Sequence, residues 1–177
     1  SLNWVLPESK VKGADIVFVS LSTIPNLSLA HRLDSLVRYP YGCIEQTTSS
    51  VFPQLYLSQL FDNVDQSKID DNINAGIDRL NSFLTRDGGF AYWPGGNVAS
   101  DWGTNYAGHF LILAKRKGYD VPNHMFNSWL NFQKNNRYTG TMLTQIYRAY
   151  LLSLARDPDF STMNRLYSED QSLKLTE

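Results

Sequence analysis

The chain holds one cysteine, Cys43, in 177 residues, so no disulfide can close within it. Cysteine usage of this kind suits a reducing compartment, or an exported protein that does without disulfides. No stretch approaches the ~18 consecutive apolar residues of a membrane span, and direct membrane insertion is not expected. Charge of one sign is also missing. Sixteen Lys and Arg face 17 Asp and Glu, for a formal net charge of -1, with no block of like charge, which argues against a nucleic-acid partner. The 3 histidines do not combine with Cys43 or the acids at zinc or calcium spacing, so no metal or cofactor is expected. What is present is a 42% hydrophobic and 13% aromatic composition, long enough for one domain with a real core. The first residue is Ser1, and the segment after it reads as part of a strand, so the sequence is expected to be a piece of a longer protein.

Residues 1–24 differ from the rest. Ala14 to Thr23 is rich in β-branched and aromatic residues and predicts a strand, with Trp4-Val5-Leu6 as a shorter one. No hairpin partner follows, so their sheet is expected in a neighbouring β-domain. From Pro25 the periodicity turns helical. Leu29, Ala30, Leu33, Leu36 and Val37 share one face between Asn26 as N-cap and Pro40 as stop. A second helix starts near Cys43 and must bend or restart at Pro53, which lacks the interior N–H. Ile69, Ile73, Ile77, Leu80 and Leu84 form the stripe of a third. Tyr106, Ala107, Phe110, Leu111 and Ala114 form that of a fourth, closed by Lys115-Arg116-Lys117-Gly118. Pro122 opens a fifth, with Met125, Phe126, Trp129 and Leu130 inward. Leu143, Ile146, Tyr147, Tyr150, Leu151 and Leu154 mark a sixth, and Phe160, Met163, Leu166 and Tyr167 a seventh. Short links between them predict successive helical hairpins.

The exception is residues 85–103, where five glycines and Pro94 exclude a regular helix. A loop of that length inside a compact domain is uncommon and is often functional. Its aromatics can equally plug one end of a helical assembly.

Cys43, Ile44, Glu45 and Gln46 carry a specific chemical possibility. Residues i and i+3 on a helical turn are neighbours, roughly 5–6 Å apart at Cβ. If the Cys43 sulfur displaces ammonia from the Gln46 carboxamide, an internal thioester results. A thiol with a pKa near ~8.5 leaves far better than an amine, so the Gln46 acyl carbon is activated towards nucleophiles. Gly42 permits a close backbone approach, and Glu45 is a candidate for orienting the turn. A lone cysteine among apolar residues is also often a small buried hydrophobe, and spacing alone leaves both readings open.

The run Tyr39-Pro40-Tyr41-Gly42-Cys43-Ile44-Glu45-Gln46-Thr47 resembles the longer bacterial form of the thioester motif of the α2-macroglobulin family. It matches at every fixed position. Ile44 stands where vertebrate members have glycine, which points to the bacterial branch. Asp87 to Pro94 is similar to the Gly-Gly-Phe and Trp loops of these domains. Leu143 to Leu154, with the segment through Leu166, looks like a later helix pair, so the resemblance spans roughly residues 14–167. It implies a mainly α fold: a partial α/α toroid of helical hairpins over residues 25–177, preceded at 1–24 by a strand segment of the flanking β-domain. It also implies a protease inhibitor rather than an enzyme, one that traps attacking proteases covalently through Cys43 and Gln46, in the periplasm or at the cell surface, where a lipid anchor is common. Tyr39, Tyr41, Tyr92 and Trp93 are candidates for shielding the bond from water. Some members use a downstream histidine to redirect the thioester to hydroxyl groups. Residues 133–138 lie at that place here without one, which implies a preference for amines. His31, His109 and His124 are expected to be structural or solvent-facing. With only part of a toroid present, apolar helix faces are left open, and the fragment is expected to self-associate.

Two other classes fit a helical toroid. One is a binding or structural module in which Cys43 and Gln46 never react. The other is a toroid enzyme such as a glycoside hydrolase, which needs two facing carboxylates; Asp87 and Asp101 are the candidates.

Overall fold

The structure is a computed structural model that describes residues 36–61 and 64–174. The expected strands, the domain boundary at 24/25, His31 and nearly all of the first predicted helix fall outside the described residues. Within them the protein is mainly helical, with six helices of two turns or more and no strand. Only isolated bridges pair Leu84 with Phe90 and Ala91 with Ala99.

Helix α1, Ile44–Val51, buries Ile44, Thr47, Thr48 and Val51, the i, i+3, i+4, i+7 face of a short amphipathic helix. It gives way at Phe52 to a 3-10 turn, Pro53–Tyr56, and one further α turn, Leu57–Leu60. The restart falls on the proline, as its missing N–H requires. Helix α2, Gln66–Asn81, starts on Asp65, whose carboxylate accepts from the Lys68 N–H. Ile69, Ile73, Ile77 and Leu80 are buried along it. Leu84, the last member of the predicted stripe, lies beyond the helix end and bridges to Phe90 instead.

Helix α3, Asp101–Arg116, begins on the Ser100 hydroxyl and ends on Lys115 and Arg116, where cations suit the dipole. Gly118 follows at φ 93°, the left-handed cap expected there. Helix α4, Asn123–Asn135, follows Pro122 and buries Met125, Trp129, Phe132 and Gln133. Trp129 lies flat enough on α3 that a Cβ at Gly108 would meet its indole at 2.1 Å, and its Nε1–H donates to the Thr104 carbonyl at 3.0 Å. Helices α5, Met142–Leu154, and α6, Phe160–Lys174, complete the chain. Successive helices pack on one another, with α1 seated between α2 and α3, and α3 against α4 and α5.

The core runs through Ile44, Val51, Ile73, Phe83, Phe90, Phe110, Leu111 and Trp129. Beyond α4 the predicted inward faces are only partly covered. Leu151 is buried, but Leu143, Ile146 and Tyr150 are exposed, and of the predicted α6 stripe Leu166 is buried while Phe160, Met163 and Tyr167 face outward. These stripes were expected inward, and they are open because no further helix among the described residues packs on them.

The segment 85–103 is shorter as a loop than its composition suggests, since α3 takes in Asp101, Trp102 and Gly103. It is also folded. Thr85 receives the Gly88 N–H and donates its own to Gly89, Ala91 N–H donates to Phe83, and Ser100 N–H to Phe90. Phe90 and Ala91 are buried, whereas Tyr92 and Trp93 project outward.

Candidate functional site

Cys43 caps α1. Gly42 turns the backbone at φ 88°, Cys43 is extended, and Ile44 enters the helix. Gln46 is the third residue in, so Cys43 and Gln46 occupy the two positions that Ser and Glu take in a capping box. The Cys43 side chain folds back over the Gln46 N–H, although sulfur accepts weakly. In return, Gln46 Oε1 accepts from the Cys43 N–H at 3.1 Å. Cys43 and Gln46 thus meet in a capping geometry. A Cβ at position 42 would lie 2.1 Å from Gln46 Oε1 and 2.9 Å from Cδ. Glycine is required there twice, by the dihedral and by the approach of the carboxamide.

The two partners differ in environment. Cys43 is 4% exposed, while Gln46 is exposed. Gln46 opens onto a groove of about 520 Å³ lined also by Arg38, Tyr39, Tyr41, Ser49 and Pro53. Tyr39 and Tyr41 pair their rings at 4.6 Å and are both exposed; Pro40 between them is buried. Glu45 stands in the first turn of α1, where a carboxylate is favoured by the helix dipole.

The 85–100 loop reaches the same turn. The Tyr92 carbonyl accepts from the Ile44 N–H at 3.1 Å, satisfying one of the donors that a helix start leaves open. Interaction with the neighbouring Cys43, then partial burial and the charge of Glu45, hold the Tyr92 pKa above the usual tyrosine value. Trp93 packs edge-on against Tyr92 at 5.5 Å and is otherwise exposed. Of the aromatics in the loop, Tyr92 is the one whose backbone reaches the turn.

Residues other than the Cys43–Gln46 pair hold the turn in place. Thr47, fully buried, sends its hydroxyl towards the Tyr41 and Gly42 carbonyls at 3.4 and 3.5 Å. Arg79 of α2 donates from Nη2 to the Gly42 carbonyl at 3.0 Å and from Nε to Thr47 Oγ1 at 3.2 Å. Gln54 donates to the carbonyls of Arg38 and Ser50 and accepts from buried Asn72, tying the strand of chain before the motif to α2. Gly103 of α3 makes room for Ile44, since a Cβ there would meet Ile44 Cγ2 at 2.6 Å. Only Thr47 carried a sequence signal, as the last residue of the motif. Arg79 sits beside the α2 stripe with nothing in its neighbours to distinguish it.

The remaining candidates lie elsewhere. His109 is half-buried, with Nδ1 3.0 Å from the Tyr147 hydroxyl and its ring edge-on to Phe52, Tyr147 and Tyr150. His124 is exposed beside Asn81. Asp87 accepts from the Thr85 hydroxyl, and Asp101 pairs with buried Arg148 at 3.6 Å, so each serves a local structural contact. Gln133 is committed to Asn105 and Arg148. No group of three His, Cys, Asp or Glu among the described residues is placed to hold a metal ion, and none of the described helices is long and apolar enough to cross a membrane.

Comparison with known proteins places the site in context. A family profile described as the A-macroglobulin TED domain matches residues 14–147. The α2-macroglobulin of Escherichia coli K12 is 34% identical over 134 residues, which is 70% of this chain and 8% of that protein. Among solved structures, Salmonella α2-macroglobulin reacted with methylamine superposes with a TM-score of 0.71 at 30% identity, over 84% of this chain and 11% of the other. Trypsin-activated α2-macroglobulin from Escherichia coli gives 0.66 at 26% identity, over 74% and 10%. The chain therefore spans about a tenth of the length of such relatives.

Proposed function

The chain belongs to the A-macroglobulin TED domain family, and from that premise we propose that it is the covalent arm of a bacterial protease trap, with Cys43 and Gln46 joined as an internal thioester. The observation that carries the reading is the reciprocal capping of Cys43 and Gln46: the buried Cys43 side chain turns to the Gln46 N–H, and Gln46 Oε1 accepts from the Cys43 N–H at 3.1 Å. In bond formation Sγ attacks Gln46 Cδ, the C–N bond breaks, and ammonia departs with the thiol proton. In trapping, a lysine amine of the target attacks the same carbon, the C–S bond breaks, and Cys43 regains a proton as a free thiol. The target is left joined to Gln46 by an amide.

The related proteins support this assignment by their chemistry. One was reacted with methylamine, a small amine nucleophile, and another was activated by trypsin. Proteases are accordingly the proposed covalent partners of the longer protein, and the role is inhibition rather than turnover. No histidine stands among residues 133–138, which favours amines over hydroxyls as acceptors. The groove beside Gln46 is the proposed path for the acceptor, with Tyr39 and Tyr41 at its wall and Tyr92 and Trp93 near Cys43 as further shields. The hairpins α1–α2, α3–α4 and α5–α6 are read as about half of an α/α toroid filling residues 25–177, with residues 1–24 contributing to a flanking β-domain. The setting proposed for the longer protein is the periplasm or cell surface.

Intact mass tests the central claim. The native protein is expected to weigh less than its sequence mass by one ammonia. Methylamine treatment should then add one methylamine and release one titratable thiol. Full sequence mass, no gain with methylamine and a Cys43 that alkylates from the outset would remove the thioester.

A further inference from the structure

We propose that Arg79 is a positioning residue for the acyl chemistry at Gln46, acting through the Gly42–Cys43 peptide that it holds by its carbonyl end. The proposal rests on the thioester reading above and goes beyond it, because the motif ends at Thr47 and Arg79 comes from another helix.

The peptide between Gly42 and Cys43 is planar, with its C=O and N–H pointing in opposite directions. Its carbonyl accepts from Arg79 Nη2 at 3.0 Å, and its N–H donates to Gln46 Oε1 at 3.1 Å. Fixing one end fixes the other. Apart from the long Thr47 hydroxyl contact at 3.5 Å, the plane rests on a glycine at φ 88°, a residue with the least conformational restraint of its own. Arg79 supplies that restraint at two points, since Nε also holds the Thr47 hydroxyl. Its guanidinium stands over the ring of Phe83 at 5.6 Å, and Phe83 is fully buried, so the donor fork is itself anchored.

The same arrangement has an electronic consequence. When sulfur or an amine adds to Gln46 Cδ, the carbonyl oxygen takes up negative charge. The Cys43 N–H lies 3.1 Å from that oxygen, at the outer limit of the range for an oxyanion donor. A guanidinium is permanently charged, and one bound to the far end of the peptide polarises it and strengthens the N–H as a donor. Arg79 therefore lowers the barrier in both directions of acyl transfer without touching the reacting atoms. The tetrahedral adduct collapses by breaking the C–S bond, and the departing sulfur takes the proton that the attacking amine gives up.

The test compares the wild-type chain with Arg79→Met and Arg79→Lys, each first checked for a native helical spectrum and melting transition. Methylamine-driven thiol release is expected to slow about tenfold in Arg79→Met and by a smaller factor in Arg79→Lys, which keeps the charge but loses the two-point hold. If Arg79→Met fails to fold, the slowed release of Arg79→Lys carries the same expectation. A folded variant that releases its thiol at the wild-type rate, or faster, overturns the proposal. Should the wild-type chain release no thiol at all, the thioester reading fails separately, and Arg79 is judged on exchange of the Cys43 amide hydrogen. Exchange about tenfold faster in Arg79→Met supports the hold on the peptide; equal exchange overturns it.

Discussion

Gly42 shows how much a single position can be asked to do. Its φ of 88° costs an L-residue about 1–2 kcal/mol, and any Cβ would also stand 2.1 Å from Gln46 Oε1. Gly42→Ala is therefore expected to lower stability by at least about 1–2 kcal/mol in urea denaturation and to abolish the methylamine-dependent mass gain, because the carboxamide must swing away from the sulfur. A variant with both wild-type stability and wild-type mass gain would show that the turn relaxes freely. The sequence made this residue legible, since glycine before cysteine in a fixed motif signals close approach. It gave no sign of Arg79, because a cation beside an apolar stripe looks the same whether it faces water or a carbonyl 37 positions away.

At the scale of elements, periodicity located the described helices well, and their starts and stops followed residues with a physical reason to be there: Asp65, Ser100 and Thr141 as caps, Pro53 as the restart, Gly118 as the exit. What periodicity could not separate was an apolar face that is covered from one that is not, as α5 and α6 demonstrate. The contact of α1, α3 and α5 carries a titration. Burial holds the His109 pKa below its usual value, while burial and the neighbouring Tyr106 and Tyr150 push Tyr147 up to about 12, so Tyr147 stays neutral at every pH of interest. The folded state thus favours neutral His109, and the unfolded chain takes up its proton first as pH falls. Stability from this site is complete above the unfolded histidine value of about 6.5 and declines as pH drops from there towards the lower folded pKa. The melting temperature is expected to fall between pH 7 and 5, and His109→Gln is expected to flatten that slope. An unchanged slope in the variant would assign the loss to other groups.

Among the described residues, the open faces of α5 and α6 group several exposed large apolar side chains. Phe160 and Tyr167 are each 68% exposed and Leu143 is 67% exposed, and Ile146, Ala149, Tyr150, Ser153, Met163 and Leu166 line an adjoining apolar hollow. A patch of that size and composition seeks a cover. The isolated chain is expected to form dimers through this face in light scattering, and Leu143→Lys with Tyr167→Lys is expected to return it to a monomer. A monomeric wild-type chain at high concentration would count against the idea. The mainly helical fold and the family were both legible in the sequence, the first from periodicity and the second from nine consecutive residues, Tyr39 to Thr47. An open apolar edge was expected from the resemblance, which leaves only part of a toroid here; which faces stay open was not, because coverage depends on chain that periodicity does not describe.

The fit of Ile44 against Gly103 bears on descent. Ile44 is fully buried, and its Cγ2 occupies the space that a side chain at 103 would need. The two positions lie on different helices, yet they are expected to change together. A branched residue at 44 is expected to go with glycine at 103, and a larger residue at 103 with a smaller one at 44. The variable middle letter of the motif is thus free only as far as a glycine on α3 allows.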